Sequence, residues 1–169
     1  MKKILSIAIT LVLSITVIAQ EEEGKRIPAV QLKNLNGETL NTAEISNNGK
    51  PTIISFWATW CSPCKLELNT IHEEYLDWVD ETGVKLVAVS IDDERTKNRI
   101  GPYVDGRGWE YEILLDTNAD LKRALGVTNV PHTFLLDGNG EIVYSHNGYA
   151  PGDEEELYER VLELVQEHK

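Results

Sequence analysis

Apolar residues fall in short blocks along this chain, and the blocks switch between two periods. Thr52 to Ala58 is a continuous apolar and β-branched run, the pattern of a strand covered on both faces. Val84 to Ile91 repeats it. Between them, from Ser62 onward, Leu68, Ile71, Tyr75, Trp78 and Val79 recur at helical spacing and stop before Gly83, which predicts one long amphipathic helix. Upstream, Val30 to Leu35 and Glu38 to Leu40 flank Asn36-Gly37, a hairpin turn signal. Downstream, Asp92 to Gly108 holds a second helical stretch, Tyr111 to Leu115 a strand, and Leu121 to Leu125 a short helix before Gly126. Phe134 to Asp137 and Ile142 to His146 bracket Asp137-Gly138-Asn139-Gly140 as a closing hairpin. A last helix, about Glu154 to Glu167, carries Leu157, Val161, Leu164 and Val165 on one face. Strands alternating with helices predict an α/β sheet.

The first residues follow a different rule. Lys2 and Lys3 precede an apolar stretch, Ile4 to Ile18, which ends in Val17-Ile18-Ala19. Residues 1–19 therefore read as a secretory signal peptide, 20–26 as an acidic leader and 27–169 as a single domain. The stretch falls short of the roughly 20 residues a spanning helix needs, and Ser6, Thr10, Ser14 and Thr16 dilute it. Contact with a membrane is expected only through this segment, where it stays uncleaved. Cleavage would take Lys2 and Lys3 from the 16 basic residues, leaving 14 against 28 acidic and a formal charge of −14. Such a surface repels nucleic acid and anionic lipid.

Both cysteines, Cys61 and Cys64, stand two residues apart just after the first apolar run. That spacing lets the sulfurs meet within one turn. With a helix starting at Ser62, Cys61 lies at its N-terminus, where free N–H groups and the dipole stabilise a thiolate. Cys61 is then the attacking sulfur and Cys64 the one that resolves a mixed disulfide. Pro63 fits the first helical turn. Other uses compete. A staple closing so short a loop contributes only about 2 kcal/mol. A zinc site needs two more ligands from His72, His132, His146 and His168, none of them in a paired spacing. Two inert buried thiols are the third alternative.

Trp60-Cys61-Ser62-Pro63-Cys64-Lys65 resembles the W-C-x-x-C-K motif of the thioredoxin superfamily. The block Gly126 to Gly140, with Val130-Pro131-His132-Thr133, resembles that family's cis-proline strand and the hairpin after it. Ile27 to Ile45 is similar to the extra hairpin of its TlpA/ResA-like branch, extracytoplasmic thiol–disulfide oxidoreductases related to the alkyl hydroperoxide reductase/thiol-specific antioxidant proteins. The likeness covers roughly residues 27 to 167. It implies a central mixed sheet flanked by helices, with an N-terminal β-hairpin and a helix–strand insertion between Ile91 and Pro131, before the cis-proline strand.

The resemblance also assigns roles. It makes the Val130–Pro131 bond cis and sets it against the cysteines, where the Val130 backbone would pair with an extended substrate. Trp60, Pro63, Pro131 and His132 join Val130 as substrate contacts. Glu67, three residues after Cys64, would handle protons for the sulfurs. Thioredoxin instead keeps an acid in the preceding strand, where this chain has Ser55, which cannot accept a proton at neutral pH. Two departures matter. Asn69 replaces a helix-kinking proline, and His132 replaces a common threonine, where a protonated imidazole near Cys61 would lower the thiol pKa.

The implied activity is exported thiol–disulfide exchange on disulfide-bearing protein substrates. The protein would act mainly as a reductant in cytochrome c maturation or general thiol repair, in the periplasm or an equivalent compartment. It would be recharged by a membrane-bound thiol electron donor, with no cofactor and no metal. A thiol peroxidase is the alternative, but its Thr/Ser and Pro positions hold Ala58 and Ile54. A copper or zinc carrier is the other; copper-delivery relatives space their cysteines one residue wider.

Overall fold

The structure, a computed structural model, describes residues 24–167; the signal peptide and most of the acidic leader read from the sequence lie outside them. Seven strands form one mixed sheet: β1 (Gln31–Asn34), β2 (Thr39–Asn41), β3 (Thr52–Trp57), β4 (Lys85–Ser90), β5 (Glu112–Leu115), β6 (His132–Leu136) and β7 (Ile142–Asn147). Their order across the sheet is β2-β1-β5-β4-β3-β6-β7. The helices are α1 (Ser62–Thr82), α2 (Ile100–Arg107), α3 (Asp120–Ala124) and α4 (Asp153–Glu167).

β3 and β4 are parallel and share the middle of the sheet, so α1 must cross one face to join them. Every residue of β3 is buried, which explains its unbroken apolar sequence. Alternation divides its side chains. Ile53 and Trp57 pack on the face covered by α1, α2 and α4; Ile54 and Phe56 pack on the other, with Leu121 and Leu125 around α3. α4 lies on α1 through Leu157 and Val161, both buried. Each such side chain contributes about 1.5–3 kcal/mol relative to exposure.

The N-terminal hairpin β1–β2 extends the sheet by pairing antiparallel with β5. α2 and β5 supply the helix–strand insertion expected before the cis-proline strand, and β5 runs parallel to β4. α1 stays helical over 21 residues, through Asn69, until Gly83 closes it at φ 68°. The Asn69 side chain ties it sideways, accepting from Trp109 Nε1 at 3.0 Å and donating to the Tyr103 hydroxyl at 3.3 Å. The helical stretch Asp92 to Gly108 is shorter than its pattern suggests. A side-chain turn on Asp93 and a 3-10 turn at Lys97–Arg99 precede α2.

Candidate active site

β3, an interior strand, ends at Trp57, and the next residues turn directly into α1. Cys61 is the N-cap of α1, with φ −88° and ψ 104°. Its sulfur accepts the Cys64 backbone N–H at 3.3 Å, and its carbonyl accepts the Lys65 N–H at 3.2 Å. Pro63, in the first turn, has no N–H to leave unpaired. The two sulfurs form a disulfide, with Cα atoms 5.4 Å apart. Cys61 is only slightly accessible and Cys64 fully buried, so a partner meets Cys61 first.

The Val130–Pro131 bond is cis, and the Val130 carbonyl oxygen lies 3.7 Å from the Cys61 sulfur. Two groups therefore bear on this sulfur once it is reduced. The Cys64 N–H favours the thiolate, and the Val130 carbonyl offers an acceptor to the thiol. Trp60, beside them, is 57% exposed, a large apolar surface at the rim.

Glu67 sits where α1 presses on the sheet, 4% exposed. Ser55 of β3 and Thr133 of β6 are directly opposite one another across the antiparallel pair, so their hydroxyls stand together on the α1 face. Thr133 Oγ1 donates to Glu67 Oε1 at 2.7 Å and Ser55 Oγ to Oε2 at 3.3 Å. Burial disfavours the carboxylate more than these two hydrogen bonds favour it. Its pKa is raised from 4.5 to about 7, with Asp153 and Glu154 adding repulsion. A carboxyl in this state takes up and gives off a proton near neutral pH, one helical turn from Cys64.

A second buried acid holds the approach to Cys61. Asp92, two residues past the end of β4, accepts the Thr59 N–H at 2.8 Å, the Thr59 hydroxyl at 2.6 Å and the Ser90 hydroxyl at 2.9 Å. Thr59 is two residues before Cys61, so Asp92 fixes the turn between β3 and α1.

The structure thus brings Cys61, Cys64, Val130 and Pro131 together, with Trp60 and Pro63 exposed beside them and Glu67 beneath. His132 goes elsewhere. Strand alternation points Thr133 at Glu67, and so sends the His132 ring to the opposite face, stacked on Phe134 at 4.5 Å between ring centroids. Its Nε2 pairs with Ser145 Oγ at 2.9 Å. Burial, then His146 and Lys25, lower its pKa, so the protonated imidazole expected to tune Cys61 is disfavoured. Thr133 and Asp92 were not foreseen from sequence, since each acts through a partner more than 30 residues away.

A sequence model of the family described as Redoxin matches residues 22–162. The chain is 36% identical over 128 residues to thiol:disulfide interchange protein DsbE of Yersinia pestis, across 74% of this chain and 64% of that one. It is 33% identical over 135 residues to thiol-disulfide oxidoreductase ResA of Halalkalibacterium halodurans, across 79% and 72% respectively. It thus spans just under two-thirds of the length of the Yersinia protein. Among solved structures, a thioredoxin-like protein from Porphyromonas gingivalis superposes with a TM-score of 0.77 at 55% identity, over 85% of this chain and 94% of that one.

Proposed function

The chain belongs to the Redoxin family, and from that premise we propose that it is a thiol–disulfide oxidoreductase acting on disulfide-bearing proteins through Cys61 and Cys64. The observation that carries this is the capped cysteine: Cys61 is the α1 N-cap, beside the carbonyl of the cis Val130–Pro131 bond, with Cys64 buried behind it. The names of the Yersinia and Halalkalibacterium relatives support it.

In the reduced protein the Cys61 thiolate attacks one sulfur of a substrate disulfide. That S–S bond breaks, and the departing substrate thiolate takes a proton from water. The Cys64 thiol passes its proton to Glu67, and its sulfur attacks Cys61. The second substrate thiolate leaves, and two electrons have moved from the protein dithiol to the substrate. Glu67 is suited to the proton step because its pKa, about 7, lies near the working pH. Trp60, Pro63, Val130 and Pro131 form the substrate surface in this reading, without His132, whose ring lies on the other face of the sheet; the Val130 carbonyl beside Cys61 supports backbone pairing with an extended segment.

Export, through cleavage after residues 1–19, is part of the proposal and rests on their charged, apolar and small-residue pattern. So is a reducing role in cytochrome c maturation or thiol repair, with a membrane-bound thiol donor upstream. The test is insulin-disulfide reduction with a dithiol donor, together with the potential of the Cys61–Cys64 couple. A value near the roughly −270 mV of thioredoxin fits a reductant, whereas one near the roughly −120 mV of DsbA reverses the direction of flow.

A further inference from the structure

Glu67 receives a proton in a place with almost no access to water. Its hydrogen-bond partners Ser55 and Thr133 are buried, and in the proposed reaction the substrate would cover the Cys61 side while the mixed disulfide lasts. A crevice leads off in another direction. It runs between α1, β6, β7 and α4, with Glu67, Thr133, Tyr144, His146, Asp153 and Glu154 along it and Leu157 closing its apolar side. Its volume is about 10 Å³, on the order of a single water position.

The sheet register explains why these groups converge. His146 is the direct β7 partner of Thr133, so both side chains rise from the same face into the gap that Glu67 enters from α1. The start of α4 closes that gap. His146 Nε2 lies 3.1 Å from Asp153 Oδ2, and the two side chains are 35% and 31% exposed. The pair touches water on one side and the crevice on the other.

We propose that His146 and Asp153 are the proton relay of Glu67, carrying protons between the buried carboxyl and bulk water during exchange. The relay rests on the reading of Glu67 as the base for Cys64. The proton lost by the Cys64 thiol moves to Glu67, then along the crevice to the His146–Asp153 pair and into solvent; the reverse path supplies the proton when the disulfide is reduced.

The other groups facing Glu67 are less suited. Tyr144 and Tyr149 have pKa values pushed up by burial, as does Tyr111, and they keep their protons at neutral pH. Glu154 is occupied, accepting from the Tyr149 hydroxyl at 2.8 Å and the Gly152 N–H at 3.0 Å. An imidazole has two ring nitrogens, so His146 can take a proton at one and give one up at the other. Asp153 orients the ring, and accepts the Ala150 N–H at 2.7 Å with the same oxygen.

Single-turnover reaction of the reduced protein with insulin isolates the resolving step. His146→Gln should slow that step about tenfold near pH 7, a fraction of what general acid–base transfer commonly supplies. Added imidazole should restore the rate in proportion to its concentration, while leaving the wild type unaffected. Alkylation of Cys61 should keep its wild-type rate, which separates a lost relay from a distorted site. Asp153→Asn, which keeps the Ala150 bond, should show the same rescue and serves where His146→Gln folds poorly. Resolution at the wild-type rate in both variants, or a loss that imidazole does not repair between pH 5.5 and 8.5, overturns the relay. In the same assay Glu67→Gln reports on the base itself. Should it keep the wild-type pH profile, the role of Glu67 fails and the relay with it; should it alter that profile while His146→Gln and Asp153→Asn do not, the relay alone fails.

Discussion

Replacing Glu67 by Gln tests the energetics of the buried carboxyl without any assumption about catalysis. In the folded protein this group titrates at about 7 and in the unfolded chain near 4.5. Between those values the folded state holds a proton that the unfolded state has released, so stability falls as pH rises. The contribution is fully present below pH 4.5 and gone above about pH 7. At 1.36 kcal/mol per unit, a shift of this size is worth about 3 kcal/mol. Gln has the shape of the protonated acid and one NH₂ group that a turned Ser55 or Thr133 hydroxyl accepts. The variant should therefore match the wild type near pH 5 and exceed it at pH 8 by up to about 3 kcal/mol, roughly 6–12 °C in melting temperature for a chain of this length. Thermal unfolding of the oxidised proteins from pH 5 to 8.5 measures it. Taking the difference between the two curves cancels His132 and the surface carboxylates. Parallel curves across that range would refute the argument, because they would mean the folded and unfolded carboxyls titrate alike.

Asp92→Ala strands the Thr59 N–H and two hydroxyls, and should cost about 2–4 kcal/mol in urea unfolding, more than Asp92→Asn, which keeps an acceptor. Trp60→Ala removes an exposed side chain and should change stability by less than about 0.5 kcal/mol. The same variant should raise KM for insulin while leaving reaction with a small aromatic disulfide unaltered; equal loss on both substrates would count against Trp60 as a protein-docking contact. Val161→Ala opens a cavity where α4 meets α1 and should cost about 1–3 kcal/mol, with a midpoint shift in chemical denaturation as the check.

Much of this architecture is legible as hydrophobic period. β3 and β4 are continuous apolar runs because helices cover both faces, and α1 shows its buried stripe at Leu68, Ile71, Tyr75 and Trp78. Glu67 falls on that same stripe, between Cys64 and Ile71, and this position was a signal that the acid turns inward. What period cannot convey is pairing between distant segments. Ser55 interrupts an apolar strand for no local reason; its purpose appears only when β6 places Thr133 opposite. β6 begins at His132, two residues before its apolar run, because pairing with Phe56 and Asn147 outweighs local preference. The same register decides that His132 faces away from Glu67, which neighbouring sequence could not reveal.

The most direct test of the central claim is to capture the intermediate with each cysteine variant. Reduced Cys64→Ser, mixed with insulin and quenched with acid, should accumulate a mixed disulfide that mass spectrometry maps to Cys61, because attack survives and resolution does not. Cys61→Ser should form none, its remaining thiol being buried. Adducts formed by Cys61→Ser and not by Cys64→Ser would contradict the account, since the N-cap sulfur, the more accessible of the two, would then not be the one that meets the substrate.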